Sequence, residues 1–170
     1  PHRHGVRANG TFRLSEEATT LAELLKAKGY RTCAAISAFV LDSRFGLDQG
    51  FDTYFDDFKR GGSAGALEME RRGMDVIDRA MKWIGETSPN PFFVWLHLFD
   101  PHTPFDPPEP YRSRYPDSPY DGEIAYTDEV IGRFLDFLDR EGLRDSTLIV
   151  LTSDHGESLG EHGEEYHGFF

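Results

Sequence analysis

Cysteine is almost missing from this 170-residue chain, Cys33 being the only one. A single thiol excludes both an internal disulfide framework and a thiolate metal cluster. Long apolar runs are missing too, so no stretch of this sequence is suited to spanning a bilayer. Positive charge is scarce: 18 Lys and Arg stand against 30 Asp and Glu, a net charge of −12. That balance argues against nucleic acid, and against an anionic membrane surface, as the main partner. There is no Gly-rich phosphate loop and no Gly-x-Ser-x-Gly nucleophile turn, which removes two common routes to phosphate binding and acyl transfer. An initiator Met and a signal peptide are lacking as well. The chain opens on Pro1 and closes on the apolar Phe169 and Phe170, and the natural protein is expected to continue in both directions.

What is present is enough for one core. A 38% hydrophobic content with 14% aromatics makes a single folded domain the expectation rather than a disordered chain. Residues 1–170 are read as part of one domain, cut at both ends. Thr20-Leu-Ala-Glu23 has the capping-box form, and Leu21, Leu24 and Leu25 follow at helical spacing, with Gly29 just past the end. Thr32 to Ser37 is a short apolar run of strand length. Residues 38–65 read mostly as loop, with the aromatics of Phe51 to Phe58 pinning it down. Ala66 to Thr87 reads as a helix with Ile77, Ala80, Met81 and Ile84 on one face. Phe92 to Phe99 is apolar on both faces, as expected of a central strand. A third helix spans about Asp121 to Glu141, with Ile124, Ile131, Phe134, Leu135 and Leu138 inward and Asp121, Glu123 and Asp128 on the exposed face. Leu148 to Leu151, apolar and rich in branched residues, reads as a buried strand.

Helices alternating with strands predict an α/β fold with a mostly parallel sheet and right-handed crossovers. Parallel strands place all their carboxyl ends on one edge, where sites of open α/β sheets lie. Asp100 and His102 after one strand, and Asp154 and His155 after another, would then share that edge. A carboxylate and a neutral imidazole on consecutive residues can reach one cation if the backbone turns sharply, and Gly156 permits the turn. His102, in a loop stiffened by prolines, is placed to meet an anionic oxygen or protonate a leaving group. His97 reads as a core histidine with a hydrogen-bond partner. His167, where the chain turns apolar again, is a further candidate to point into the site. Glu157 and Glu161 read as a solvated acidic loop. Cys33 reads as a buried structural cysteine.

These stretches together resemble a known family. Thr152-Ser-Asp-His-Gly-Glu-Ser-Leu-Gly-Glu-His-Gly163, with His167 and Gly168 after it, is similar to the C-terminal metal motif of the sulfatases, in the alkaline-phosphatase-like superfamily. Asp100-Pro-His-Thr-Pro104, Thr20 to Tyr30, Gly46 to Tyr54 and Tyr120 to Leu138 match in the same order. The resemblance implies an alkaline-phosphatase-like α/β fold with helices on both faces of the sheet, and sulfuric ester hydrolase activity in the full-length protein but not in the fragment alone. It implies that Asp154 and His155 bind a divalent cation, with Ca²⁺ favoured and Mn²⁺ or Zn²⁺ as alternatives. It also implies that His102 and His167 contact the sulfate, with His102 assisting loss of the alcohol. The nucleophile, a formylglycine made from Cys or Ser before x-Pro-x-Arg, is implied upstream of this chain. Substrates would be small-molecule or glycan sulfate esters, and the location extracytoplasmic, periplasmic or secreted. One departure concerns the substrate. Where many sulfatases carry Gly-Lys-Trp-His, this chain has Ile36-Ser-Ala-Phe-Val-Leu41, which leaves open a phosphonate or phosphate ester hydrolase, or a phosphoethanolamine transferase, of the same superfamily. A non-catalytic binding module on this fold is the alternative from another class.

Overall fold

A computed structural model of the chain describes residues 4–8, 10–58, 70–86, 91–160 and 163. Three parallel strands form its sheet: β1 (Arg31–Ala35), β2 (Thr53–Phe55) and β3 (Phe92–Leu96), in the order β2-β1-β3. Cys33 pairs with Thr53 on one side and with Val94 on the other. β1 is therefore the central strand, whereas β3, expected to be central, has its second edge open among the described residues. β2 falls in the stretch read as loop. It is only three residues long, too short for its alternation to stand out from the surrounding aromatics.

Four helices frame the sheet: α1 (Leu21–Lys26), α2 (Gly73–Gly85), α3 (Tyr111–Arg114) and α4 (Pro119–Arg140). α2 and α4 cover one face. Cys33, Phe55, Phe92 and Val94 pack there against Trp83 and Ile84 of α2 and Phe134, Phe137 and Leu138 of α4. Burial pushes the Cys33 thiol up to about 12, so it stays protonated and packs as a small apolar group. On the other face Phe51 stacks on Phe93 and Trp95, with centroids 5.8 and 6.2 Å away. That stack fixes the approach to β2, as the aromatic run suggested.

Several expectations need correction. The capping box of α1 forms as read, with Thr20 N–H on Glu23 Oε2 and Glu23 N–H on Thr20 Oγ1. Its leucine stripe, however, does not face the core: Leu21 and Leu24 are exposed and Ala22 is buried. The reason is Gly50, at φ +86°, where a Cβ would lie 2.3 Å from Glu23 N. The helix lies backbone-first against that glycine and turns its leucines outward. α2 starts at Gly73, and Glu70 and Arg71, expected inside it, are held extended because Glu70 bridges to Ala38 and Arg71 N–H donates to Ser37 O. Ala66 and Thr87, the expected ends, lie outside the described residues. On α4 the inward face is Glu123, Tyr126, Val130 and Leu138, while Ile124 is exposed.

The largest correction concerns Leu148 to Leu151. This run pairs with no strand among the described residues, and its four residues are 40% to 89% exposed. A strand with apolar residues on both faces needs a covering layer on each side, and no described residue supplies one here.

Candidate active site

The sheet's carboxyl edge is built by short polar contacts. Just beyond β1, the fully buried Ser37 donates from Oγ to His97 O at 2.8 Å, and His97 Nδ1 lies 3.2 Å from the same Oγ. With that hydroxyl proton on the carbonyl, the Oγ accepts, so Nδ1 carries the ring proton. Burial lowers His97 to about 4 despite the opposing charge of Asp154, so the ring is neutral near neutral pH. His97 is a partnered histidine, as read. It also lies near both groups of candidate residues. The charge of Asp154 acts on it, and a ladder of rings joins it to His102: His97 to Phe99 at 5.9 Å and Phe99 to His102 at 4.0 Å, stacked.

His102 is half-buried and fixed in its loop. Its N–H donates to Asp100 O at 2.8 Å, and its Nδ1 lies 2.7 Å from Thr103 O. A carbonyl only accepts, so Nδ1 carries its proton toward Thr103 O.

Asp100, expected on the same edge, turns inward instead. Its Oδ2 accepts from Gly73 N–H at 2.8 Å, and Tyr126 Oη accepts from Met74 N–H at 3.2 Å. Arg72, at the cap position of α2, makes no capping bond of its own. A carboxylate from the β3 loop and a phenol from α4 thus satisfy the first orphan N–H groups of α2, and the acidic group suits the positive helix end. Arg72 reaches across this junction. Its Nη1 is 3.5 Å from Asp100 Oδ1 and 3.5 Å from Glu123 Oε1, and its Nη2 donates to Asp106 O at 2.7 Å. Asp106 N–H donates to Glu123 Oε1 at 3.0 Å. Glu123 is 2% exposed, against the expectation of an exposed face, and burial raises its carboxyl to about 7. Burial likewise raises Asp100, against the pull of Gly73 N–H and Arg72. The signal for Glu123 was in the sequence: it continues the stripe of Tyr126, Val130 and Phe134 at helical spacing, and only its charge argued the other way.

The Asp154–His155 pair has a different character. The side chains are 87% and 48% exposed, and His155 Nε2 lies 3.5 Å from Asp154 Oδ2. His155 N–H donates to Asp154 Oδ1 at 3.1 Å, and His155 Nδ1 lies 2.8 Å from Gly156 O. The carbonyl takes Nδ1–H, so the Nε2 lone pair faces the same side as a carboxylate oxygen. An imidazole anchored through one nitrogen is the usual state of a metal-binding histidine. The donor set fits a divalent cation as two members of a shell, and among the described residues no third His, Cys, Asp or Glu joins them. His167 and Glu161 lie outside the described residues.

A groove of about 650 Å³ opens elsewhere, between β2 and α2. Its lining includes Asp57, Arg71 and Arg79, which are paired with each other, and none of the candidate site residues. No helix of the described residues is long and apolar enough to cross a membrane.

Comparisons with known proteins agree with this architecture. The chain is 27% identical over 139 residues to the multifunctional alkaline phosphatase superfamily protein PehA of Trinickia caryophylli, covering 50% of this chain and 27% of that protein. It is 51% identical over 45 residues to iduronate 2-sulfatase of Homo sapiens, covering 26% of this chain and 8% of that protein. The crystal structure of phosphonate monoester hydrolase of Agrobacterium radiobacter superposes with a TM-score of 0.72 at 19% identity, over 95% of this chain and 51% of that one. The chain spans about a quarter or less of the length of these curated relatives. The likeness to the solved structure shows the alkaline-phosphatase-like α/β fold. The sulfatase family model matches residues 1–169, nearly every residue of the sequence, and the chain belongs to the sulfatase family.

Proposed function

We propose that this chain is the central part of the single catalytic domain of a metal-dependent sulfuric ester hydrolase. The observation that carries the reading is the family match across residues 1–169. In this reading Asp154 and His155 are two ligands of a divalent cation, Ca²⁺ first, with Mn²⁺ or Zn²⁺ as alternatives. The Nδ1 anchor of His155 on Gly156 O supports that role, because it places Nε2 beside the carboxylate. The cation would offset negative charge on the ester oxygens. The nucleophile, a formylglycine hydrate, is assigned upstream of this chain.

His102 is the acid. With Nδ1–H held on Thr103 O, the protonated ring gives up the Nε2 proton to the leaving alcohol oxygen. His167 is assigned to the sulfate as a second contact. A sulfate ester of a small molecule or a glycan is the proposed substrate, and an extracytoplasmic compartment the proposed location.

A phosphonate or phosphate monoester hydrolase is the second reading. It is favoured by Ile36, Ser37, Ala38 and Phe39, all buried where many sulfatases carry sulfate-binding Lys and His. Steady-state turnover of 4-nitrophenyl sulfate, 4-nitrophenyl phosphate and 4-nitrophenyl phenylphosphonate by the intact protein decides between them. Higher kcat/KM on the sulfate ester, abolished by Asp154→Ala, is the expected result. Higher kcat/KM on a phosphorus ester transfers the assignment to the second reading. A protein that turns over none of the three and binds no divalent ion by calorimetry is a binding module on this fold.

A further inference from the structure

The stretch from Asp100 to Asp106, which carries His102, is held at both ends: Arg72 reaches both, and Glu123 holds the second. At its start, Asp100 is bound to Gly73 N–H and lies 3.5 Å from Arg72 Nη1. At its end, Asp106 O accepts from Arg72 Nη2 at 2.7 Å, and Asp106 N–H donates to Glu123 Oε1 at 3.0 Å. The same guanidinium faces Glu123 at 3.5 Å. Between the two ends Pro101 and Pro104 restrict the backbone, and His102 N–H closes back onto Asp100 O. One cation and one buried carboxylate therefore define where the His102 ring can lie.

Breaking this arrangement is costly, but a well-packed apolar replacement of the whole cluster would serve stability as well. Asp100 Oδ1 and Glu123 Oε2 are buried and accept no hydrogen bond among the described residues. Buried ion pairs with oxygens left over are commonly outperformed by apolar residues of the same volume. Glu123 lies on the same inward stripe as Tyr126 and Val130, where an apolar side chain would pack. What the pair supplies is a fixed geometry for a loop that has no secondary structure of its own.

We propose that Arg72 and Glu123 are positioning residues for His102, clamping both ends of its loop so that Nε2 is presented to the ester at the sheet's carboxyl edge. The proposal rests on the reading of His102 as the group that meets the substrate. Neither residue touches the reacting atoms, and both act through the loop.

The test is a double-mutant cycle in the intact protein, read by turnover of 4-nitrophenyl sulfate and by the imidazole ¹H–¹⁵N resonances of His102. Glu123→Ala is expected to lower kcat roughly ten- to a hundredfold with little change in KM, as loss of alignment does. In a His102→Ala background it is expected to cost nothing further. Glu123→Gln, which keeps the Oε1 acceptor for Asp106 N–H, should restore most of the rate and return the His102 resonances. Arg72→Lys keeps the charge but cannot bridge both loop ends, and should shift those resonances while remaining folded. A full additional loss in the His102→Ala background overturns the proposal. So do unmoved His102 resonances in folded Glu123→Ala or Arg72→Lys protein. If the wild type turns over neither sulfate nor phosphonate ester while the resonances move as expected, the functional reading fails and the positioning role stands.

Discussion

The His102 loop and the Asp154–His155 turn are two parts of one proposed site, built in opposite ways. Around His102, the carboxylates of Asp100 and Glu123 are buried, Arg72 spans both loop ends, and the ring stacks on Phe99. Around Asp154 and His155 the described polar contacts are local, to each other and to Gly156, and the side chains are largely exposed. The first region is preorganised by the core of this chain. The second is far more exposed, with its described contacts made inside its own turn. Activity and stability should therefore separate: the first region answers to both, the second to activity and metal alone.

Arg72→Ala should have the largest effect on stability. It leaves two buried carboxylates without a cation, and breaking such pairs costs about 3 kcal/mol. A shift of the urea midpoint at unchanged slope would register it. If the variant unfolds at the wild-type midpoint, the junction is not a stabilising unit and the contrast collapses.

The next effect is a pH dependence from Glu123, which faces Arg72, Asp100 and the Asp106 N–H. Burial raises its carboxyl from 4.5 to about 7, so the folded state binds the proton more tightly than the unfolded state. Its contribution is fully present below about pH 4.5 and is lost as the pH rises through about 7, a change on the order of 3 kcal/mol. Glu123→Gln should flatten this segment of the stability–pH curve. A curve of unchanged slope in that variant would assign the dependence to another group.

His102→Ala should cost about 1 kcal/mol, the value of a stacked ring pair, in addition to its effect on turnover. Asp154→Ala and His155→Ala should be the smallest changes in the metal-free protein, within about 0.5 kcal/mol of wild type by thermal melts. In the intact protein the same two substitutions should weaken divalent-cation binding roughly a hundredfold or more, since even outer-shell partners contribute ten- to a hundredfold. Isothermal titration would check this. A large metal-free loss of stability for Asp154→Ala would mean that the turn is packed after all and that the two regions are alike.

Much of this was legible in the residues. Thr20 and Glu23 announced a capping box and formed one, and the stripe of Ile77, Ala80 and Ile84 gave the buried face of α2. Cys33 was placed in the core by its apolar neighbours. The misreadings share one cause, that local pattern carries no information about which neighbour arrives. Leu148 to Leu151 has the composition of a buried strand, yet burial needs partners that no local pattern supplies. Leu21 and Leu24 have helical spacing, yet a close approach at Gly50 decides which way the helix turns. Glu123 was assigned to solvent because it is charged, although its spacing placed it with Tyr126 and Val130. Asp100 looked like a site residue because it follows a strand, and the free N–H of Gly73 claimed it. In both acidic cases a partner distant in sequence, Arg72 or α2, overrode the hydropathy of the residue itself.

The strand order has a kinetic side. β1 is flanked by β2, which follows it closely in the chain, and by β3, which returns only after α2; Cys33 meets Thr53 on one side and Val94 on the other. Loop-closure entropy and high contact order both delay the second pairing relative to the first. The bonds between Ser37 and His97 join the ends of β1 and β3, so they cannot form until β3 docks. The carboxyl edge is thus expected to assemble late, and mutations that slow the β1–β3 encounter would delay the Ser37–His97 bonds during refolding while leaving the folded structure unchanged.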